Sequence, residues 1–188
     1  MRVSRPTPSG LIPWVMTTGP RPSAVPPCSP RRSISGSRGS GAIIPNFPVV
    51  IADTSALVAF FNADDKHHVG TREAFAATGH IVVSPCILAE LDYLLAMRMG
   101  SAVSNAALGY IASRVASGRW EVPGIGQSLL AAHAVLQDYP EIGLSDATNV
   151  VLAREFRTDA IATLDMRHFR MIRPLTPHPA FRLLPADL

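Results

Sequence analysis

From Pro48 onward, the spacing of hydrophobic positions alternates between two periods along the chain. Val49-Val50-Ile51-Ala52 is an unbroken apolar, largely β-branched run, the pattern of a parallel strand buried on both faces. Thr54 to about Asn62 carries a short apolar helix, broken at Asp64-Asp65, and His67–Thr78 predicts a second. His80-Ile81-Val82-Val83 reads as a strand between Gly79 and Ser84-Pro85. Pro85 fits the first turn of a helix with Ser84 as its N-cap. That helix runs to about Met99, and Gly100 stands where a C-cap glycine belongs. Ser101–Ser117 predicts a helix, Arg119–Val122 a short strand and Gly126–Gln137 a helix. Ser145 is placed to cap a helix over Asp146–Arg157. Ala160–Thr163 reads as a strand, with weaker strands at Met171–Arg173 and Phe181–Leu184. The alternation predicts a three-layer α/β/α sandwich with a mostly parallel central sheet. In such sheets chemistry gathers at the carboxyl ends of the strands.

The first 47 residues are of another kind. They hold nine Pro, eight Ser and five Gly, and six of the 17 basic residues but no acid. Such a segment buries too little apolar surface to offset its ordering entropy, so 1–47 is expected to be disordered and 48–188 to form one domain. A targeting peptide, a phosphate-touching basic arm, or a start assigned too far upstream each fit this composition. We favour the last, because the first strand begins abruptly at Val49 or Val50. The remaining 11 Lys and Arg face all 14 acids, so the domain is acidic although the whole chain is at +3. An acidic domain acting on nucleic acid needs a bridging cation. Two cysteines, Cys28 and Cys86, make neither a disulfide framework nor a zinc site. They favour a reducing, cytoplasmic setting, with Cys86 as a small buried hydrophobe. No apolar run is long enough to span a membrane.

Four acids stand out. Asp53 follows the first strand directly, and Asp165 lies two residues beyond the strand that ends at Thr163. Asp146 lies in the first turn of a helix, where the helix dipole favours its charge. Glu90 interrupts an apolar helix, Ile87-Leu88-Ala89-Glu90-Leu91, where a carboxylate is costly unless paired. Singly, each has a plainer reading, as a cap, a first-turn acid, a turn residue or a solvent-facing charge. Jointly, they converge on one cleft only if they share a cation, and several oxygens around a hard ion is how Mg²⁺ or Mn²⁺ is held. Thr54, Ser55, Asn149 and Thr163 are candidates to orient those carboxylates. Asn149 lies one helical turn after Asp146, and a plain polar surface position fits it equally well.

These stretches carry a family resemblance. Val49-Val50-Ile51-Ala52-Asp53-Thr54-Ser55-Ala56-Leu57 resembles the opening motif of PIN-domain ribonucleases, and Ser84-Pro85 through Ala89-Glu90-Leu91 their second acidic motif. Leu144-Ser145-Asp146-Ala147 resembles the third, and Ala162-Thr163-Leu164-Asp165-Met166-Arg167-His168-Phe169 the closing strand and its acid. Order, spacing and length over 48–188 are similar to the VapC toxins of VapBC toxin–antitoxin pairs, and the tail is the departure. The resemblance implies a PIN-like fold and a metal-dependent endoribonuclease, with Asp53, Glu90, Asp146 and Asp165 holding Mg²⁺ or Mn²⁺. It implies products with a 5′-phosphate and a 3′-hydroxyl, and a cognate VapB-type antitoxin whose C-terminal segment blocks the site. The stretches Ala89–Leu94 and Asp146–Ala153 look most like the group that cuts the sarcin–ricin loop of large-subunit rRNA; tRNA is the alternative substrate.

Arg154, Arg157, Arg167, Arg170 and Arg173 crowd one late stretch and are candidates for contacts to RNA phosphates; ordinary solvated surface accounts for at least half of them. His67, His68 and His168 receive no catalytic role. Helices presenting Leu88, Leu91, Leu95, Val103, Leu108 and Ile111 have apolar faces to cover, with a homodimer interface or an antitoxin groove as their use. A haloacid-dehalogenase-type phosphatase would need an acid where Ser55 stands. A non-catalytic PIN binding module would be marked by a lost acid, and none is missing. A flap-type DNA nuclease would carry more acids and large insertions.

Overall fold

The computed structural model describes residues 47–188. The expectation for the segment before them lies outside the described residues. The first strand, β1 (Phe47–Ala52), is followed by helices α1 (Thr54–Phe61) and α2 (His68–Ala76) and by β2 (Thr78–Val83). Helices α3 (Pro85–Met99) and α4 (Ser101–Ala116) lead to the two-residue strand β3 (Trp120–Glu121). Then come α5 (Leu129–Asp138), α6 (Leu144–Glu155), β4 (Ala160–Ala162), α7 (Met166–Met171) and β5 (Arg182–Leu184).

The strands form one sheet in the order β3-β2-β1-β4-β5, every pair parallel. The chain therefore builds outward from β1 in one direction, through β2 and β3, then returns to add β4 and β5 on the other side. The gap between the carboxyl ends of β1 and β4 is the topological switch point, where successive connections diverge and leave a crevice. Asp53 and Asp165 follow the two strands that border it.

Alternation along β1 divides the core. Val50 and Ala52 pack with Leu57, Ile87, Leu91, Leu95 and Ile111 under α1–α4. Ile51 packs with Val151, Leu152, Ile161, Phe169 and Leu183 under α5–α7. The three-layer sandwich follows, with β1 apolar on both faces because both are covered. Leu91, Leu95 and Ile111 are thus part of the internal core and are not free for a partner, whereas Leu88, Val103 and Leu108 remain partly exposed.

Several boundaries differ from the sequence expectation, each for a local reason. Phe47, assigned by composition to the tail, is the first residue of β1 and is buried, with the Arg182 guanidinium 4.7 Å over its ring. Helix α5 starts at Leu129, because Gly126–Ser128 form a turn in which Ser128 Oγ donates to Glu155 (2.7 Å). Helix α6 starts at Leu144 with Gly143 as its N-cap, not at Ser145, because the Asp146 carboxylate reaches back to accept from Gly143 N–H (3.2 Å). The strand expected at Met171–Arg173 is absent. Asp165 accepts from His168 N–H (3.2 Å) and so caps a helix, α7, that the strand pattern hid. Ser84 does cap α3, accepting from Cys86 N–H, with Pro85 in the first turn. Cys86 itself is only half-buried.

The end of α6 reassigns one arginine. Thr158 N–H donates to Ala153 C=O (2.9 Å) and Arg157 N–H to Arg154 C=O (3.1 Å), the paired bonds that close a helix when the next residue turns left-handed. Arg157 is that residue, at φ 53°, a conformation glycine adopts more cheaply. Its backbone thus serves to stop the helix. Arg157→Gly is expected to stabilise the fold by up to about 1 kcal/mol, measured by urea unfolding; a loss of stability would contradict the strained-cap reading.

Candidate active site

Asp53 is fixed by its place in the chain. Its N–H donates to Ala162 C=O (2.9 Å), extending the β1–β4 pairing by one step, and its side chain turns over the N-terminus of α1. The residue is 6% exposed. Its two carboxylate oxygens have different surroundings. Oδ2 accepts from Ser55 Oγ (2.7 Å), Thr163 Oγ1 (2.8 Å) and, more distantly, Ser55 N–H (3.4 Å). Oδ1 receives only the long contact from Asn149 Nδ2 (3.4 Å). A hydroxyl has one proton to give. Ser55 and Thr163 each spend theirs on Asp53, so their 3.2 Å contact with each other is a packing contact. Each hydroxyl in turn accepts a backbone N–H, Ser55 from Leu164 and Thr163 from Asp165 (2.8 and 2.9 Å). One network thus ties the first acid to the loop that carries the last.

Asp146 and Asp165 approach from α6 and α7. Each accepts from the backbone at its helix N-terminus, as does Asp53 on α1. Three helix N-termini converge on this edge of the sheet, and their dipoles favour negative charge there. Glu90 comes from α3, where Thr54 Oγ1 donates to its Oε2 (2.9 Å). It is exposed, not buried among leucines as its neighbours in sequence suggest. Leu94 and Arg98 follow it at intervals of four on the same helix face. The four acids, with Ser55, Asp65, Leu94, Arg98, Ser145 and His168, line one cleft of about 490 Å³.

Burial raises the Asp53 carboxyl above its ordinary pKa, against the hydrogen bonds from Ser55 and Thr163. Burial likewise raises Asp146; the bond from Gly143 opposes it, and the nearby charges of Asp53 and Asp165 push the same way. The cleft is therefore overloaded with negative charge. His168 stands beside these acids, its Nδ1 2.9 Å from Asp165 Oδ2 and 3.6 Å from Asp146 Oδ2, within ion-pair range but not aligned as a hydrogen bond. Sequence reasoning passed over His168; its signal was the three-residue step from Asp165, which puts both on one side of α7.

As the side chains stand, no three acids, histidines or cysteines among the described residues are grouped closely enough to hold one ion. The donor chemistry nonetheless fits a hard divalent cation. Asp53 Oδ1 has its one contact from Asn149, the buried Asn149 Oδ1 has no partner, and the remaining donors are carboxylates that repel one another. Asn149 is fully buried against Asp53, not on the surface. All four candidate orienting residues thus touch an acid. The candidate RNA-contacting arginines do not line the cleft: Arg154, Arg157 and Arg167 are exposed elsewhere, and Arg170 pairs with Asp187 (2.5 Å).

The fold and the carboxylate cleft define a class, and the comparisons with known proteins agree. The chain belongs to the PIN-domain family, whose model matches residues 50–173. It is 41% identical over 130 residues to Ribonuclease VapC26 of Mycobacterium tuberculosis (strain ATCC 25618 / H37Rv), spanning 67% of this chain and 93% of that protein. Two crystal structures share the fold. M. tuberculosis VapC20, a sarcin–ricin loop cleaving toxin, aligns with TM-score 0.56 and 24% identity over 63% of this chain and 91% of its own. VapBC2 from Rickettsia felis, bound to a DNA fragment from its promoter, aligns with TM-score 0.53 and 16% identity over 72% and 98%. No helix among the described residues is long and apolar enough to cross a membrane.

A carboxyl whose folded pKa lies above its unfolded value costs stability once it ionises. The cost is absent below the unfolded pKa and complete above the folded one. Asp146→Asn is therefore expected to raise the thermal midpoint in EDTA at neutral pH, and this gain should shrink to nothing on acidification below about pH 4. Equal midpoints at neutral pH would remove the electrostatic strain inferred here.

Proposed function

We propose that this protein is a VapC-type toxin, a metal-dependent endoribonuclease acting in the cytoplasm and held in check by a VapB-type antitoxin. Residues 47–188 carry the activity. The observation that carries this reading is the cleft at the sheet's switch point, where Asp53, Glu90, Asp146 and Asp165 come together with their hydrogen-bonded supports. The likeness to Ribonuclease VapC26 supports the reaction type.

Asp53, Asp146 and Asp165, with Glu90 at the rim, would hold Mg²⁺ or Mn²⁺. When bound, such an ion lowers the pKa of a coordinated water and offsets charge on the phosphodiester. The protein's own contribution is positioning. Ser55 and Thr163 lock Asp53 Oδ2 and so leave Oδ1 as the oxygen available to the cleft. Thr54 fixes Glu90. Asn149 backs Asp53 from the interior. Arg98 is the one arginine or lysine lining the cleft and has no ion-pair partner among the described residues; it meets the scissile or an adjacent phosphate of the RNA.

For the substrate we favour the sarcin–ricin loop. The stretches around Glu90 and Asp146 support this choice, as does the activity named for the fold relative VapC20. A homodimer and an antitoxin would use apolar surface left uncovered, such as the groove lined by Leu88, Leu108 and Val115.

The full-length protein and its Asp53→Asn variant, incubated with ribosomes and with bulk tRNA, test the reading. We expect a single mapped cut in the large rRNA with Mg²⁺ or Mn²⁺, lost in EDTA and reduced more than about a hundredfold in the variant. A cut in tRNA alone would replace the substrate, and cutting that persists in a folded Asp53→Asn protein would overturn the site. Arg98→Gln is expected to raise KM for RNA about tenfold with little change in kcat, and to flatten the salt dependence by about one charge. Arg98→Lys should restore part of the loss. An unchanged KM would remove Arg98 from the interface.

A further inference from the structure

A second concentration of charge lies outside the acidic cleft and shares no lining residue with it. Arg72 of α2, Arg114 of α4 and Arg119, just before β3, line one pocket of about 190 Å³. Its walls are aromatic. Phe60, Tyr110 and Trp120 contribute, with ring centroids 5.7–6.2 Å apart. No aspartate or glutamate lines it, and none of the three guanidinium groups enters an ion pair with a described residue. The Arg114 side chain lies over the Tyr110 ring, 5.8 Å from its centroid, and its Nε–H is buried with no acceptor in the protein.

Such an arrangement is costly in the absence of a ligand. Three cations from three separate elements repel one another, and a buried donor without an acceptor loses its water for nothing. Surface arginines whose stems merely cover an aromatic cluster would scatter their heads into solvent or find carboxylates. Here all three residues line one concave space, Arg114 partly buried and Arg72 and Arg119 more exposed, and low-polarity walls strengthen any charge interaction inside it. The complement is an anion with several acceptor oxygens and more than one charge. A phosphate group fits this better than a carboxylate, since guanidinium forks pair with its oxygens from several directions. The volume suits a phosphate group, and Tyr110, 39% exposed, brings part of an aromatic side chain to the pocket's solvent side.

We propose that the Arg72–Arg114–Arg119 pocket is a phosphate-binding site, distinct from the acidic cleft, that takes one phosphate of an RNA backbone or of a free phosphate compound. It goes beyond the nuclease reading and does not need catalysis to be tested.

Trp120 reports from inside the pocket. With Trp14→Phe in the full-length protein, Trp120 is the only tryptophan. Its fluorescence is followed as inorganic pyrophosphate is added in EDTA. We expect a saturable change, with the affinity lowered about tenfold in Arg114→Gln and also in Arg72→Gln, whose side chain is exposed; unchanged melting curves would show that the fold is intact. No saturable change, an affinity in both variants unchanged from that of the parent protein, or equally tight binding of an acidic peptide would overturn the proposal. RNA binding to the Asp53→Asn protein then separates the sources. Weaker binding and a shallower salt dependence in the arginine variants identify an RNA backbone phosphate. Unchanged RNA binding beside weakened pyrophosphate binding identifies a free phosphate compound.

Discussion

Asp53 places a carboxylate at the end of the central strand, 6% exposed and at the point where the sheet's connections part. Little water reaches it, so the charge must be held by the chain itself. Two hydroxyls, one from α1 and one from the end of β4, give it their only protons and in return accept the N–H groups of the loop leading to Asp165. A change in any of these groups leaves a buried donor or acceptor unmet. The position of the last acid therefore depends on the first, although they lie 112 positions apart in the sequence.

The same edge of the sheet gathers three helix N-termini. Each aspartate does double duty, as a cap for its helix and as one wall of the cleft. The plain structural reading of each acid and the functional reading are thus both satisfied by one geometry. Capping supplies a reason for the charges to be tolerated in the absence of a cation, and their mutual repulsion supplies a reason for a cation to be drawn in. His168 is set between Asp146 and Asp165, with Nδ1 within ion-pair range of both.

Positive charge is distributed by a different logic. Arg182 forms a two-pronged pair with Asp159, which, despite its burial, is held below its ordinary pKa by that bond, and ties β5 to the segment before β4. Arg170 does the same for the C-terminal turn, holding Asp187 below its ordinary value. Arg157 ends a helix. Two of the five late arginines, Arg157 and Arg170, thus have architectural roles, while the arginines without ion-pair partners among the described residues include one in the cleft and three around an aromatic pocket.

The sequence alone determined the layer order and the acids. Apolar β-branched runs such as Val49–Ala52 can be buried only between two helical layers, and an acid directly after such a run must sit at the strand's carboxyl end. Capping signals such as Ser84-Pro85 were equally legible, because they act within one turn. Other features were decided only by tertiary structure. Asn149, indistinguishable in sequence from a surface residue, is fully buried because α6 lies across β1 with that side inward. Glu90, surrounded by leucines in sequence, is exposed because it stands at the margin of the face that Ile87 and Leu91 bury in the core, where the cleft opens beside α3. Helix α7 was hidden because it is only six residues long and its start signal is the side chain of Asp165, which also belongs to the cleft. Local patterns specify elements and their ends, but which long-range groups meet depends on strand order, which pattern does not encode. Arg98 joins the cleft, and the late arginines do not, because of where α3 crosses the carboxyl edge of the sheet.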